Sequence, residues 1–236
     1  MQRYISGLTP STEFAVVIIA AFGMFMWASL EAAYQLLSPA PVTGSVPALD
    51  VAQFSAADLW GLILHELLVL AFLAPFLQAR GWDLRPLLVP PAGVDFVYAA
   101  ALTKADDFIY TAAWIVLSLA IPDLATTAQS AGVAATGLDL TSVIAVSVVN
   151  GIFEELLVTG YIISFLKDRA GIHMAINVSV AIRLLYHLYQ GVVGVIAIIP
   201  MGLIFAYWYA RGGSLWALII AHIFLDIIGL MATTAS

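Results

Sequence analysis

The chain has 236 residues, 63% of them apolar and only 10% charged, with a net charge of −7 and a mean hydropathy of +1.03. A soluble domain averages about 45–50% apolar and about 25% charged residues, so this composition excludes an ordinary soluble globule. The few basic residues form no patch that would neutralise phosphates, which excludes a nucleic-acid partner, and the absence of cysteine excludes disulfides, thiolate metal sites and a cysteine nucleophile.

Apolar runs of about 18 or more residues mark transmembrane helices. In chain order they predict seven spans, at 13–37, 58–78, 93–120, 140–166, 172–190, 192–210 and 214–232. The first run continues to Leu37, too long for the apolar core of a signal peptide, and no small-residue cleavage site precedes it, so it reads as a retained span. Helix-stopping stretches separate the spans: SPAPVTGSVPALD, RGWDLRPLLVPPAG, IPDLATTAQSAGVAATGLD, KDRAG and RGGS. Only the break at Gln190-Gly191 is slight, which leaves the fifth and sixth spans open to being one bent element. The expected fold class is all-α, a polytopic transmembrane helical bundle forming one integral membrane domain over 1–236.

The basic residues orient this layout. Arg3 precedes the first span, Arg80 and Arg85 follow the second, Lys167 and Arg169 the fourth, and Arg211 the sixth, while the alternate loops have none. That pattern places the N-terminus inside a multi-pass protein of the cell (inner) membrane. Lys104 and Arg183 fall within spans instead. No internal repeat of the inverted-transporter kind is evident.

Ionisable groups at membrane depth cost about 2.5–3.5 kcal/mol each on insertion scales and face a bundle interior or a partner. Three late spans carry them: Asn150, Glu154 and Glu155 in NGIFEELLVTG, Arg183 and His187 in RLLYHLYQG, and His222 and Asp226 in AHIFLDIIG. Arg183 and His187 are four residues apart, as are His222 and Asp226, so each pair shares one helix face. Glu154 and Glu155 diverge by about 100°, so one points at a central site and the other at a neighbouring helix or polar partner, with Asn150 on the face of Glu154. A rise of about 1.5 Å per residue sets Glu154, His187, His222 and Asp226 roughly 14–24 Å from the basic breaks, at one level near mid-membrane.

Histidine and carboxylate together are ligands that hold Zn²⁺ with an open position. A carboxylate beside water can act as general base, and imidazole or amide groups can stabilise an oxyanion. The combination points to hydrolysis within the membrane. A G-x-S-x-G turn is absent, which disfavours a serine hydrolase, and His65-Glu66 is followed by LLV, so no HExxH zinc motif is present.

EELLVTGYI, RLLYHLYQG and HIFLD, in that order on successive late spans, resemble the CPBP intramembrane proteases. That family holds the CAAX prenyl endopeptidases and bacteriocin-processing or immunity-related membrane proteins, and its pattern is EExxxR, FxxxH, then HxxxN or HxxxD. The resemblance covers residues 140–230. It implies that Glu154, with His187, activates the attacking water, that Glu155 orients it, and that His222 and Asp226 hold the substrate carbonyl, the oxyanion or a metal. It further implies Zn²⁺ or another divalent metal as cofactor, with His187, His222 and Glu154 as ligands, and Arg183, Asn150 and Tyr186 as supporting or substrate-contacting groups. The implied substrate is a membrane-associated peptide or protein tail in the lipid bilayer. Two positions depart from the pattern: Thr159 stands where it has Arg, and Arg183 where it has Phe. One reading joins them, a guanidinium supplied from the fifth span to pair Glu155 in a divergent bacterial-type member.

Other readings stand beside this one. The same acids and histidines would serve a proton- or ion-coupled transporter, and Thr159 fits a non-catalytic immunity or interaction protein on the same scaffold. Lys104 and Asp107 are spaced to pair, with Asp106 beside them as an acid that could border the site. Glu31, His65 and Glu66 read as inter-helix polar contacts or cavity lining, and Trp60, Trp82, Trp208 and Trp216 as interface anchors.

Overall fold

A computed structural model describes residues 7–37, 53–123 and 134–234. Arg3 and parts of the first and third breaks lie outside them. Seven helical rods match the seven predicted spans: α1 (Pro10–Leu37), α2 (Ala56–Ala79), α3 (Gly93–Ala120), a long fourth rod, α6 (Ile172–His187), α7 (Gly191–Ala210) and α8 (Leu215–Thr234). The fourth rod joins α4 (Leu140–Glu154), a π-helical turn (Glu155–Tyr161) and α5 (Ile162–Ala170). Four stretches are long and apolar enough to cross a membrane, Pro10–Tyr34, Ala56–Ala79, Leu140–Ala170 and Leu215–Ala232, and Gly194–Ala210 is a shorter apolar helix. The fold is an all-helical bundle of the membrane type.

One feature breaks the helical pattern. Gln53–Ser55 (β1) and Ala134–Thr136 (β2) form a short parallel pair, with Phe54 opposite Ala135. The strands lead into α2 and α4, so their pairing sets those two helices side by side and parallel. Capping then fixes each start: Ser55 accepts from the Asp58 amide at 3.3 Å, and Asp139 from the Ser142 amide at 3.0 Å.

The slight break at Gln190-Gly191 is a full reversal. A single 3-10 turn (Leu188–Gln190) and Gly191, at φ 74°, send α7 back along α6. Gly202 on α7 then lies against Val180 and Arg183 on α6, where an added Cβ would sit 3.4 Å from Arg183 Cδ. The fifth and sixth spans are therefore two elements.

The fourth rod is the centre of the bundle. Of its apolar window 61% is buried, against 22–33% for the other three long apolar helices. It packs on α2, α6 and α8. Gly151 permits the approach of α8, since an added Cβ would meet Ile223 Cγ1 at 3.0 Å and the Ile219 carbonyl at 3.3 Å.

The bundle has two unlike ends. Arg80 Nη2 donates to the Leu8 carbonyl at 3.1 Å, Trp216 Nε1 to the Val89 carbonyl at 2.8 Å, and Trp82 lies 4.9 Å from Tyr161. These contacts gather the helix ends that carry Arg80, Arg85, Lys167, Arg169 and Arg211. The strand pair marks the opposite end, where α8 also reaches β2.

Candidate active site

The π turn starts at the glutamate pair. A π turn bonds i to i+5 and is common at functional sites. It disturbs the regular carbonyl ladder, and Ser179 of α6 donates to the Val158 carbonyl within it at 2.6 Å. Val158, Thr159 and Gly160 are too sparsely side-chained to crowd this wider turn, and α6 lies against it.

Arg183 is the hub. It is 1% exposed and donates from Nη2 to Glu155 Oε1 at 2.7 Å, from Nη2 to Thr159 Oγ1 at 3.2 Å, and from Nη1 to Glu154 Oε2 at 3.3 Å. Thr159 in turn donates to Glu155 Oε2 at 2.7 Å. The two departures from the family pattern thus meet in one contact: the guanidinium comes from α6, and the short Thr159 leaves room for it. Buried charges persist only when paired and hydrogen-bonded, and this pairing meets that condition for Glu155.

Glu154 has different company. Its Oε2 accepts from the Tyr186 hydroxyl at 2.5 Å, and its Oε1 faces His187 Nε2 at 3.7 Å. Tyr186 is held by stacking on Phe22 of α1, with ring centroids 4.4 Å apart and planes 9° from parallel. His187 Nδ1 lies 2.9 Å from the Arg183 carbonyl oxygen. A carbonyl only accepts, so Nδ1 bears the proton and Nε2 turns toward Glu154.

His222 closes the other side. Its Nδ1 lies 2.7 Å from Glu155 Oε1 and its Nε2 lies 3.4 Å from Asp226 Oδ1. Asn150 Nδ2 donates to Asp226 Oδ2 at 3.0 Å and lies 3.5 Å from His222 Nε2. Asn150 and Glu154 therefore do not share a target, contrary to their four-residue spacing. The fourth rod is wedged between α6 and α8, and a modest difference in angle sends Glu154 to the first and Asn150 to the second. Glu155 is the residue that reaches both.

Every sequence-identified site residue, Asn150, Glu154, Glu155, Arg183, Tyr186, His187, His222 and Asp226, belongs to this one connected network. Two acids belong beside it that the motifs did not mark. Glu66 of α2 and Asp106 of α3 are buried, and each has a carboxylate oxygen with no hydrogen-bond partner. The available signal was position alone, an acid inside an apolar span. Lys104 and Asp107 pair at 3.6 Å on the exposed face of α3, apart from the site.

The expected metal set does not fit this geometry. Among the described residues no three His, Asp or Glu side chains converge as a metal site. His187 approaches Glu154, whereas His222 is engaged by Glu155 and Asp226, and the Arg183 guanidinium stands between the two glutamates. A fixed cation at that point repels a second one, so no step is derived through Zn²⁺ or another divalent ion.

Toward the basic end, an apolar groove runs below the site. Two adjoining hollows of about 400 and 430 Å³ share Leu77, Trp82, Leu84, Leu87, Leu156 and Leu157. They are not the catalytic cluster itself. Their wall contains Leu156, the residue after Glu155, and Ile219, one turn before His222. At the mouth Arg85 donates to both oxygens of Asp83, at 2.8 and 2.9 Å, and holds that carboxyl below its usual range.

Fold and centre together define a helical membrane bundle with a buried carboxylate, guanidinium and imidazole cluster on its late helices. Residues 136–228 match the family model described as type II CAAX prenyl endopeptidase Rce1-like, so the segment holding the cluster is of the CPBP family. The match covers less than half of the chain, and its family is one of proteases. No curated protein and no solved structure matches the chain.

Proposed function

We propose that the chain is an intramembrane endopeptidase that hydrolyses a peptide bond in a membrane-associated peptide or protein tail. The protein would be multi-pass, in the cell (inner) membrane, with its basic end and N-terminus inside. The observation that carries the reading is the facing pair of Glu154 Oε1 and His187 Nε2 at 3.7 Å, each held from behind. That gap is too long for a hydrogen bond and suits a water bound to both.

In the proposed step Glu154 takes a proton from this water as its oxygen bonds to the substrate carbonyl carbon. His222 Nε2 and Asn150 Nδ2, 3.5 Å apart, receive the carbonyl oxygen as negative charge develops on it. The carbon–nitrogen bond then breaks, and the proton held on Glu154 passes to the leaving amine. Glu155, fixed by Arg183, Thr159 and His222, orients the groups and does not receive the proton. The groove beside Leu156 and Leu157 is the substrate's approach, open to an apolar tail from the basic end.

Comparing the termini of membrane-linked proteins in cells with wild type or Glu154→Gln tests this reading. Accumulation of an uncleaved protein only in the variant is expected. Identical termini with an unchanged cellular phenotype would instead establish a non-catalytic scaffold. Proton-gradient-driven flux in vesicles, lost in the variant without any change in cleavage, would establish a transporter.

A further inference from the structure

Arg183 is fully occupied by Glu155, Glu154 and Thr159, yet the acids around the centre outnumber it. The surplus lies on the side of α2, α3 and α8. Glu66 is 1% exposed and its Oε2 has no partner, while Asp106 is 6% exposed and its Oδ1 has none. Thr103 Oγ1, one turn before Asp106, is likewise unpartnered.

Helix register places Glu66 at the site. Leu62 and Ile63 of α2 pack with Val146 of α4 and Leu230 of α8 in one apolar cluster. One turn along from those residues stand Glu66, Asn150 and Asp226. Glu66 accordingly lies in electrostatic range of Glu154, His222 and Asp226, and Asp106 in range of His222. No fixed cation among the described residues answers them. Lys104 is exposed and paired with Asp107, and the remaining described lysine and arginines lie at the basic end.

A buried carboxyl oxygen without a partner is unfavourable in either protonation state. A ligand that brings positive charge and several N–H donors to these oxygens removes the penalty. A primary ammonium has three such donors on one atom, and it does not need the converging three-ligand set that a metal ion needs and that the described residues lack.

We propose that Glu66, together with Asp106 and Asp226, forms a subsite for an ammonium group carried by a basic side chain of the substrate, close to the bond hydrolysed at Glu154. Ammonium binding rests on the acids alone. Its assignment to a substrate side chain rests on the peptidase reading above.

The test uses the purified full chain in mixed micelles, with n-butylammonium as probe and n-butanol as its uncharged counterpart. Titration calorimetry is expected to show at least about tenfold tighter binding of the amine, the change that about 1.4 kcal/mol produces. Glu66→Gln, which keeps the shape and removes the charge, should abolish that preference. Asp106→Asn should reduce it, and supplies the answer should Glu66→Gln not fold. The exposed Glu31→Gln should leave it unchanged. Equal affinity for the two probes, or a preference untouched by both site variants, would overturn the subsite and leave these acids as structural groups. A parallel arm compares cleaved termini in wild-type cells, where Lys or Arg near the new terminus is expected. Cleavage without preference for the amine counts against the subsite alone, and amine binding without any cleavage counts against the peptidase reading alone.

Discussion

At the basic end of the bundle Arg80 Nε meets Glu13 Oε2 at 2.7 Å, with Trp82 Nε1 and the Tyr161 hydroxyl completing the same carboxylate at 2.8 and 3.4 Å. In the middle, Arg183 meets Glu155 at 2.7 Å and Glu154 at 3.3 Å. Both clusters bury a guanidinium against an acid and link distant parts of the chain. At Glu13 one carboxylate collects donors from three residues and nothing is left over. At Arg183 one guanidinium is divided between two carboxylates, and three more acids lie around the centre. A closed count of donors and acceptors is what a clasp needs. A surplus of acceptors leaves groups able to take a proton from water or a donor from a ligand, which is what a reaction needs.

Substitutions can break or sharpen that contrast, and the largest effect is expected at Glu154. Glu154→Gln removes the base and keeps the shape, so cleavage should fall by about 10²–10⁴-fold, the range for a positioned general base. Its unfolding midpoint should not fall. Loss of cleavage together with collapse of the fold would place Glu154 with the clasp.

Arg183→Ala strands two buried carboxylates. Breaking a buried pair from one side costs about 3–5 kcal/mol, to be read by chemical unfolding in mixed micelles. Adding Glu155→Gln to that variant should recover part of the loss, because one of the stranded charges is gone. No recovery would mean that Arg183 acts through packing rather than charge.

Arg80→Ala should cost less, about 1–3 kcal/mol, since Trp82 and Tyr161 still donate to Glu13. Activity per folded molecule should be unchanged. A drop in that specific activity would tie the clasp to the groove wall that Trp82 and Tyr161 help to build. The smallest effect is expected from Thr159→Val, which deletes the hydroxyl that bonds Glu155 and accepts from Arg183. About 1 kcal/mol of stability should be lost, with a modest fall in rate as Glu155 loosens.

Much of this arrangement was legible in the sequence because apolar runs and misplaced charges are strong signals. The seven rods follow from the runs. The pairing of Arg183 with Glu155 follows from the cost of leaving either alone in a span. The strand pair left no readable pattern, since three residues at 53–55 find three at 134–136 across most of two helices. The π turn depends on how α6 packs against ELLVTGY, not on the preferences of those residues alone. Glu13 reads locally as an acid in a first helical turn, and its partners at 80, 82 and 161 come only with the fold. Glu66 and Asp106 had no motif around them, so their place beside the site depended on the register of α2 and α3 against α8. The proposed metal set failed for the same kind of reason: helical spacing put His187 and His222 at one depth, but Glu155 and Arg183 lie between them.

The central claim is that water held by Glu154 and His187 is the nucleophile. Cleavage of a substrate peptide by the purified wild-type protein in H₂¹⁸O measures this directly, with the product read by mass spectrometry. One ¹⁸O atom in the new C-terminal carboxylate, and no such product from Glu154→Gln, is the expected result. A new terminus formed without ¹⁸O, or formed equally well by the variant, would contradict the account.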